Sequence, residues 1–377
     1  MARRIKNTCM FLILISLFLM TFWYVLDTIN NNDNPTLAIY IIFFIFLLYV
    51  SIIIHELTHS LVYIFFKLPI RAFCIFPICF INNGNRWSVM INWNYISLMG
   101  ASVPEQIAII NENDFKRITK VYSRSMLVAT ISGFIMTIIG LVILIIGYTF
   151  FENENISILG SLLLFINFLF LAGAFTRTTN ASGDYFAYKY MFNDAEISTH
   201  LIYDYMKFSV KYNEIRSNSS YLRNKLVLCF KKKINEKLVN IDAIVIATTF
   251  INDFLIRKID LPEPIVKYIE DLNENLEELE DIKNTEVFKK YITRIAYYYE
   301  FIGNSSMAKK LNYNYIMNFS DRPIDKYLKM QAQQIILKED HTSLLLKREN
   351  IKPDSYYSFY RIFDGYINDE MILNKVK

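Results

Sequence analysis

Cysteine, histidine and net charge are all scarce in this chain of 377 residues, and each scarcity narrows what it can be. The four cysteines (Cys9, Cys74, Cys79 and Cys229) make no disulfide framework, and Cys74 and Cys79 lack the spacing of a zinc ribbon. They read as apolar filler, the usual role of free cysteine. A net charge of +4, from 40 basic against 36 acidic residues, argues for no nucleic-acid partner. Histidine occurs four times, and His200 and His341 lie in polar sequence as ordinary surface or helix-packing residues. The other two stand four residues apart in a very different setting.

What the chain has in excess is apolar surface. A hydrophobic content of 53% is too high for an ordinary soluble protein. It is concentrated in four runs, residues 9–26, 37–66, 126–151 and 156–175. Each can cross a hydrocarbon core of about 30 Å, which takes roughly 20 helical residues. The first follows Arg3, Arg4 and Lys6 but ends Thr-Phe-Trp-Tyr-Val-Leu-Asp, without the small residues of a cleavage site. It reads as a retained anchor with Trp23 and Tyr24 at the interface.

Basic residues set the expected orientation. They precede the first run, are missing from 27–36, return as Lys67, Arg71, Arg86, Lys116, Arg117, Lys120 and Arg124, are missing from 152–155, and return as Arg177 and Lys189. Lys and Arg are retained on the cytoplasmic side, so the expectation is four crossings with both termini inside. The expected location is a bacterial cell membrane, in a multi-pass chain. Two domains are expected, a membrane domain over 1–195 and a cytoplasmic helical domain over 196–377.

Within the second run stands His55-Glu56-Leu57-Thr58-His59. On a helix, residues four apart share a face, so both imidazoles can reach one metal with Glu56 beside it. Ionisable groups at mid-membrane cost about 2.5 kcal/mol or more each, which calls for a functional reason. At about 1.5 Å per residue His55 lies roughly 27 Å from the outer end of its run, near the cytoplasmic face. A catalytic zinc takes three protein ligands and keeps a position for water. The best third ligand is Asp184, which follows the fourth run on the same side, with Asp194 and Glu196 next in rank.

Between these runs Trp87, Val89, Ile91, Trp93 and Tyr95 alternate with mostly polar neighbours, the pattern of a half-buried strand. Asn82-Asn83-Gly84-Asn85 supplies a hairpin turn, and 72–80 an apolar strand before it, interrupted at Pro77. Such a membrane-associated hairpin can either pair with an extended substrate or serve as structure alone. Beyond residue 195, 273–282 and 286–301 read as helices, Pro262, Pro264 and Pro323 mark breaks, and 296–308 looks like one tetratricopeptide-type helix–turn–helix. The fold class is therefore mainly α, with about four membrane helices, a small hairpin and a helical tail.

Together these features resemble the site-2 protease family of intramembrane zinc metalloproteases, over about the first 190 residues. The resemblance rests on the His-Glu-x-x-His motif in an apolar run, the hairpin after it, the Ser132–Thr137 stretch and Asp184. The family commonly has Gly-Pro-x-x-Asn in its third span, where this chain has Phe134 and Thr137 at the Pro and Asn places. Its third ligand is usually followed by Gly, whereas Gly183 precedes Asp184 here. The resemblance implies zinc on His55, His59 and Asp184, Glu56 as general base and then acid, and membrane-anchored proteins or peptides as substrates. Two other readings stand beside it. One is a catalytically inactive scaffold or peptide sensor working through the tail; the other is a different zinc protease with Glu270 or Glu300 as third ligand.

Overall fold

The computed structural model describes residues 34–93, 99–151, 154–176, 183–236, 239–351 and 362–375. The first apolar run, with Trp23 and Tyr24, lies outside the described residues, as do Tyr95 and Arg177. Among the described residues the chain is mainly helical with one small antiparallel sheet. It divides into two compact units, one of residues 1–104 and 116–195, the other of 105–115 and 196–377.

Among the described residues, the first unit holds three helices long and apolar enough to cross a membrane. Helix α1 (Asn34–Phe65) carries no charged residue before Glu56, because an apolar run this long satisfies its backbone only within itself. Helix α2 is Glu112–Thr149 and helix α3 is Glu154–Ala174. Tyr40 and Leu47 of α1 pack on Ile158, Leu162, Leu163 and Ile166 of α3. Ser51 accepts a hydrogen bond from Asn167 Nδ2 at 3.1 Å across the same interface. Helices α2 and α3 approach through glycine: a Cβ on Gly140 would lie 2.7 Å from the Leu164 nitrogen, and one on Gly147 2.7 Å from that of Ser157. Small residues let helix backbones close up where apolar burial gives no drive.

The sheet follows α1. Its strands are β1 (Ile70–Ile75), β2 (Ile78–Asn82), β3 (Trp87–Ile91) and β4 (Gly100–Pro104), in the order β3-β2-β1-β4. The hairpin turn falls where the sequence places it, with Gly84 at φ 93° and the Asn83 N–H donating to Arg86 O at 2.9 Å. Arg71 is buried and donates to Asn82 O and to Asn83 Oδ1, so this basic residue fastens the turn. The expected single strand over 72–80 is instead two strands, paired Ile75 to Ile78 around Phe76 and Pro77. Proline has no N–H to give a ladder, so it sits in the connection.

After α3 the chain forms a single turn, α4 (Asp184–Phe186), which widens into Ala187–Met191. The second unit then builds α5 (Ala195–Tyr205), α6 (Tyr212–Asn218), α7 (Ser220–Glu236), α8 (Ile241–Arg257), α9 (Glu263–Glu274), α10 (Glu286–Phe301), α11 (Ser305–Asn314), α12 (Pro323–Leu337), α13 (Thr342–Leu345) and α14 (Asp364–Asn374). Pro264 and Pro323 stand in the first turns of α9 and α12, where no N–H is needed. Helix α10 begins at Thr285, whose hydroxyl accepts from Phe288 N, and gives way to α11 at Gly303, φ 84°.

The segment Glu105–Phe115 belongs to this second unit. Its backbone N–H groups at Gln106 and Ile109 donate to Ser209 Oγ and Ser219 Oγ, each at 3.0 Å, while Glu105 Oε1 accepts from Val210 N at 2.9 Å. An extended segment keeps its backbone groups satisfied this way without joining a sheet.

Candidate metal centre

Helical spacing puts His55 and His59 on one face of α1, and their rings meet edge to face with centroids 5.1 Å apart. Asp184 comes to them from α4. Its Oδ2 lies 2.8 Å from His55 Nε2 and 3.5 Å from His59 Nε2. One donor atom from each of the three residues falls within 4.8 Å of the others, a group that could hold a metal ion. It is the one group of its kind among the described residues. Asp194, Glu196, Glu270 and Glu300 are outside it; Glu196 pairs with Lys232 and Lys233, and Glu300 with Lys338 at 3.0 Å.

Each ligand candidate is oriented by a neighbour. His59 is buried and its Nδ1 stands 2.8 Å from Ser125 Oγ of α2, which leaves Nε2 facing Asp184. The His55 ring stacks on Phe170 of α3 at 6.1 Å between centroids and 14° between planes. Asp184 does not cap its own helix: Gly183 occupies the cap position, and the carboxylate of the first helical residue turns to the imidazoles. Gly183 is needed for close approach, since a Cβ there would lie 2.6 Å from the Ala174 carbonyl carbon. Burial works to raise the Asp184 carboxyl; the two imidazoles outweigh it and hold the group well below the usual carboxylate range.

Glu56 is 7% exposed and lies against β4. The Ser102 backbone lies beside its carboxylate, and Ser102 Oγ meets Ser60 Oγ of α1 at 2.8 Å. At Gly100 the approach is closer still: an added Cβ would stand 2.6 Å from Glu56 Cγ and 2.7 Å from Oε1. An edge strand of small residues thus runs along the acid of the motif.

The sequence reading missed β4, Ser125 and Phe170. Gly100-Ala101-Ser102 carries no β-branched or aromatic residue before Val103, so it lacks the usual strand signal. Ser125 had one faint mark, a hydroxyl immediately before a long apolar run. In the third apolar run, Thr137 Oγ1 donates to its own helix at Gly133 O (2.8 Å), and Ser132 does so to Ala129 O (2.7 Å). These hydroxyls are engaged within α2. Compared with protein-family models, with curated proteins and with solved structures, the chain matches none.

Proposed function

We propose that this chain is a membrane-embedded zinc endopeptidase that cuts membrane-anchored proteins or peptides, as the resemblance to site-2 proteases implies. The observation that carries the reading is the convergence of Asp184 on His55 and His59 beside a buried Glu56. Two imidazole nitrogens and one carboxylate oxygen are the donor set of a catalytic zinc with a fourth position left over. Zinc held there would acidify a coordinated water and polarise the scissile carbonyl.

The chain's own groups do the rest. Glu56 takes a proton from the attacking water and returns it to the leaving amine. With Nε2 engaged, His59 carries its proton on Nδ1 and donates to Ser125, which fixes the ring. The backbone at Gly100 and Ser102 holds Glu56 from the side of β4. A peptide held extended near Gly100 brings its backbone alongside the general base, and proteolysis needs an extended segment. The apolar helices act as three of four spans, with both termini cytoplasmic in a bacterial membrane, and the tetratricopeptide-like α10–α11 pair serves partner binding.

The full-length chain, purified in detergent, tests this directly. About one zinc per chain is expected by mass spectrometric metal analysis, with loss in His55→Ala/His59→Ala and in Asp184→Ala. Glu56→Gln keeps the metal yet loses cleavage of a panel of tagged single-span test proteins. A zinc-free wild type, or Glu56→Gln cutting at the wild-type rate, overturns the proposal, and the zinc-free result turns the reading to a membrane scaffold or peptide sensor.

A further inference from the structure

A groove of about 340 Å³ opens beside the start of the apolar part of α2. Lys120 and Arg124, one helical turn apart, share its rim with Ser123 and Asn193, and Leu127 and Phe192 give it an apolar floor. No acidic side chain lines it. Phe192 of this floor stacks on Tyr122, with centroids 5.0 Å apart and planes within 11°.

Two observations fix the level of this groove. The Arg124 guanidinium lies over the Phe66 ring, 5.0 Å from its centroid, and Arg117 Nη2 donates to Phe66 O at 3.2 Å. Phe66 ends the apolar run of α1, and from Ser125 to Thr149 helix α2 has no charged residue. The end of one apolar segment and the beginning of another therefore coincide at Arg124. In a membrane that is headgroup depth, where basic residues meet lipid phosphate.

We infer that this groove binds the phosphate headgroup of an anionic phospholipid, with Lys120 and Arg124 on the phosphate and the Leu127–Phe192 floor under the glycerol and upper acyl carbons. Arginine suits phosphate because its planar fork offers two parallel donors, and lysine adds a mobile point charge. The inference rests on the apolar helices being membrane spans and is independent of zinc and proteolysis.

Native mass spectrometry of the full-length chain, titrated with phosphatidylglycerol or phosphatidylcholine, tests it. Phosphatidylglycerol is retained by the wild type and bound roughly thirty-fold more weakly by Lys120→Ala/Arg124→Ala, as expected for two lost cations at a headgroup. Lys120→Arg/Arg124→Lys keeps the charge and retains the lipid, which separates lost binding from lost folding. Lys309→Ala/Lys310→Ala, two exposed lysines of the second unit, behaves as wild type. Equal retention of the two lipids, or undiminished retention by the Lys120→Ala/Arg124→Ala variant, overturns the assignment. So does displacement of the lipid by millimolar inorganic phosphate, which would make the groove a site for free anions.

Discussion

At the scale of single residues, Gly100 is the position that bears directly on Glu56. A methyl there must displace Glu56, because the clash is with the acid's own Cγ and Oε1. Gly100→Ala is expected to keep zinc and to lose roughly a hundredfold in cleavage of the test proteins, the typical cost of misplacing a reacting group by about 1 Å. Metal analysis and the cleavage assay on one preparation check both halves. His200 offers a second prediction, in the other unit. Burial, stronger than the pull of nearby Asp204, lowers its pKa below the ordinary histidine value. The folded state therefore holds it neutral while the unfolded chain binds a proton below about pH 6.5. Stability is complete above that pH and is lost as pH falls through it, by at most about 1.4 kcal/mol per pH unit. The drop in apparent Tm between pH 7.5 and 5.5, read by circular dichroism, should shrink in His200→Gln. Asp204 does not confuse the result: burial raises its carboxyl, but the Lys207 and Arg216 cations outweigh it and hold it low, so its contribution is lost only at much lower pH.

At the scale of elements, glycine again decides. Gly140 meets the Leu164 backbone, whereas Gly173 has nothing within 4 Å of its would-be Cβ. Gly140→Ala should lower the apparent Tm by several degrees, since backbone cannot yield as a flexible side chain can, at a cost of about 1–3 kcal/mol. Gly173→Ala should leave it level or slightly raised. The long apolar elements were legible in the sequence because a membrane-length run has few other solutions. The start of α2 was less so: the helix begins at Glu112, before the apolar run, where Asn111 Oδ1 accepts from Asp114 N at 3.0 Å and starts the coil early. The hairpin turn was legible from Asn82–Asn85, but the strand before it was overextended, since alternation alone does not show that Pro77 reverses the chain. Strand β4 left no trace in composition; its pairing to β1, Ser102 opposite Phe73, is a property of the assembled sheet. His55, Glu56 and His59 declared themselves by spacing. Asp184 was singled out by counting ligands, and its approach to the two imidazoles depends on Gly183 passing the end of α3, which no local pattern encodes.

At the scale of the whole molecule, the second unit is held by buried charge as well as by apolar packing. Arg294 of α10 donates to Glu370 at 2.7 Å and to Gln331 Oε1 at 2.9 Å, all three side chains buried. Tyr327 donates to Glu370 Oε2 at 3.1 Å from the other side. Removing one partner strands the other charge away from water, so Glu370→Ala should cost about 3–5 kcal/mol. Loss of the cooperative thermal transition of this unit in that variant, with zinc content unchanged, is the expected result.

The stretch that leaves β4 has a mechanical meaning as well. Pro104 ends the strand beside Glu56, and the next residue, Glu105, is already bound to Val210. At its far end the same stretch becomes α2, the helix that carries Ser125 behind His59. No slack linker separates either terminus of this short tether from its anchorage on Ser209 and Ser219. The eleven residues of this stretch are thus bonded to Ser209, Val210 and Ser219, while the chain on either side continues as β4, which lies against Glu56, and as α2, which carries Ser125.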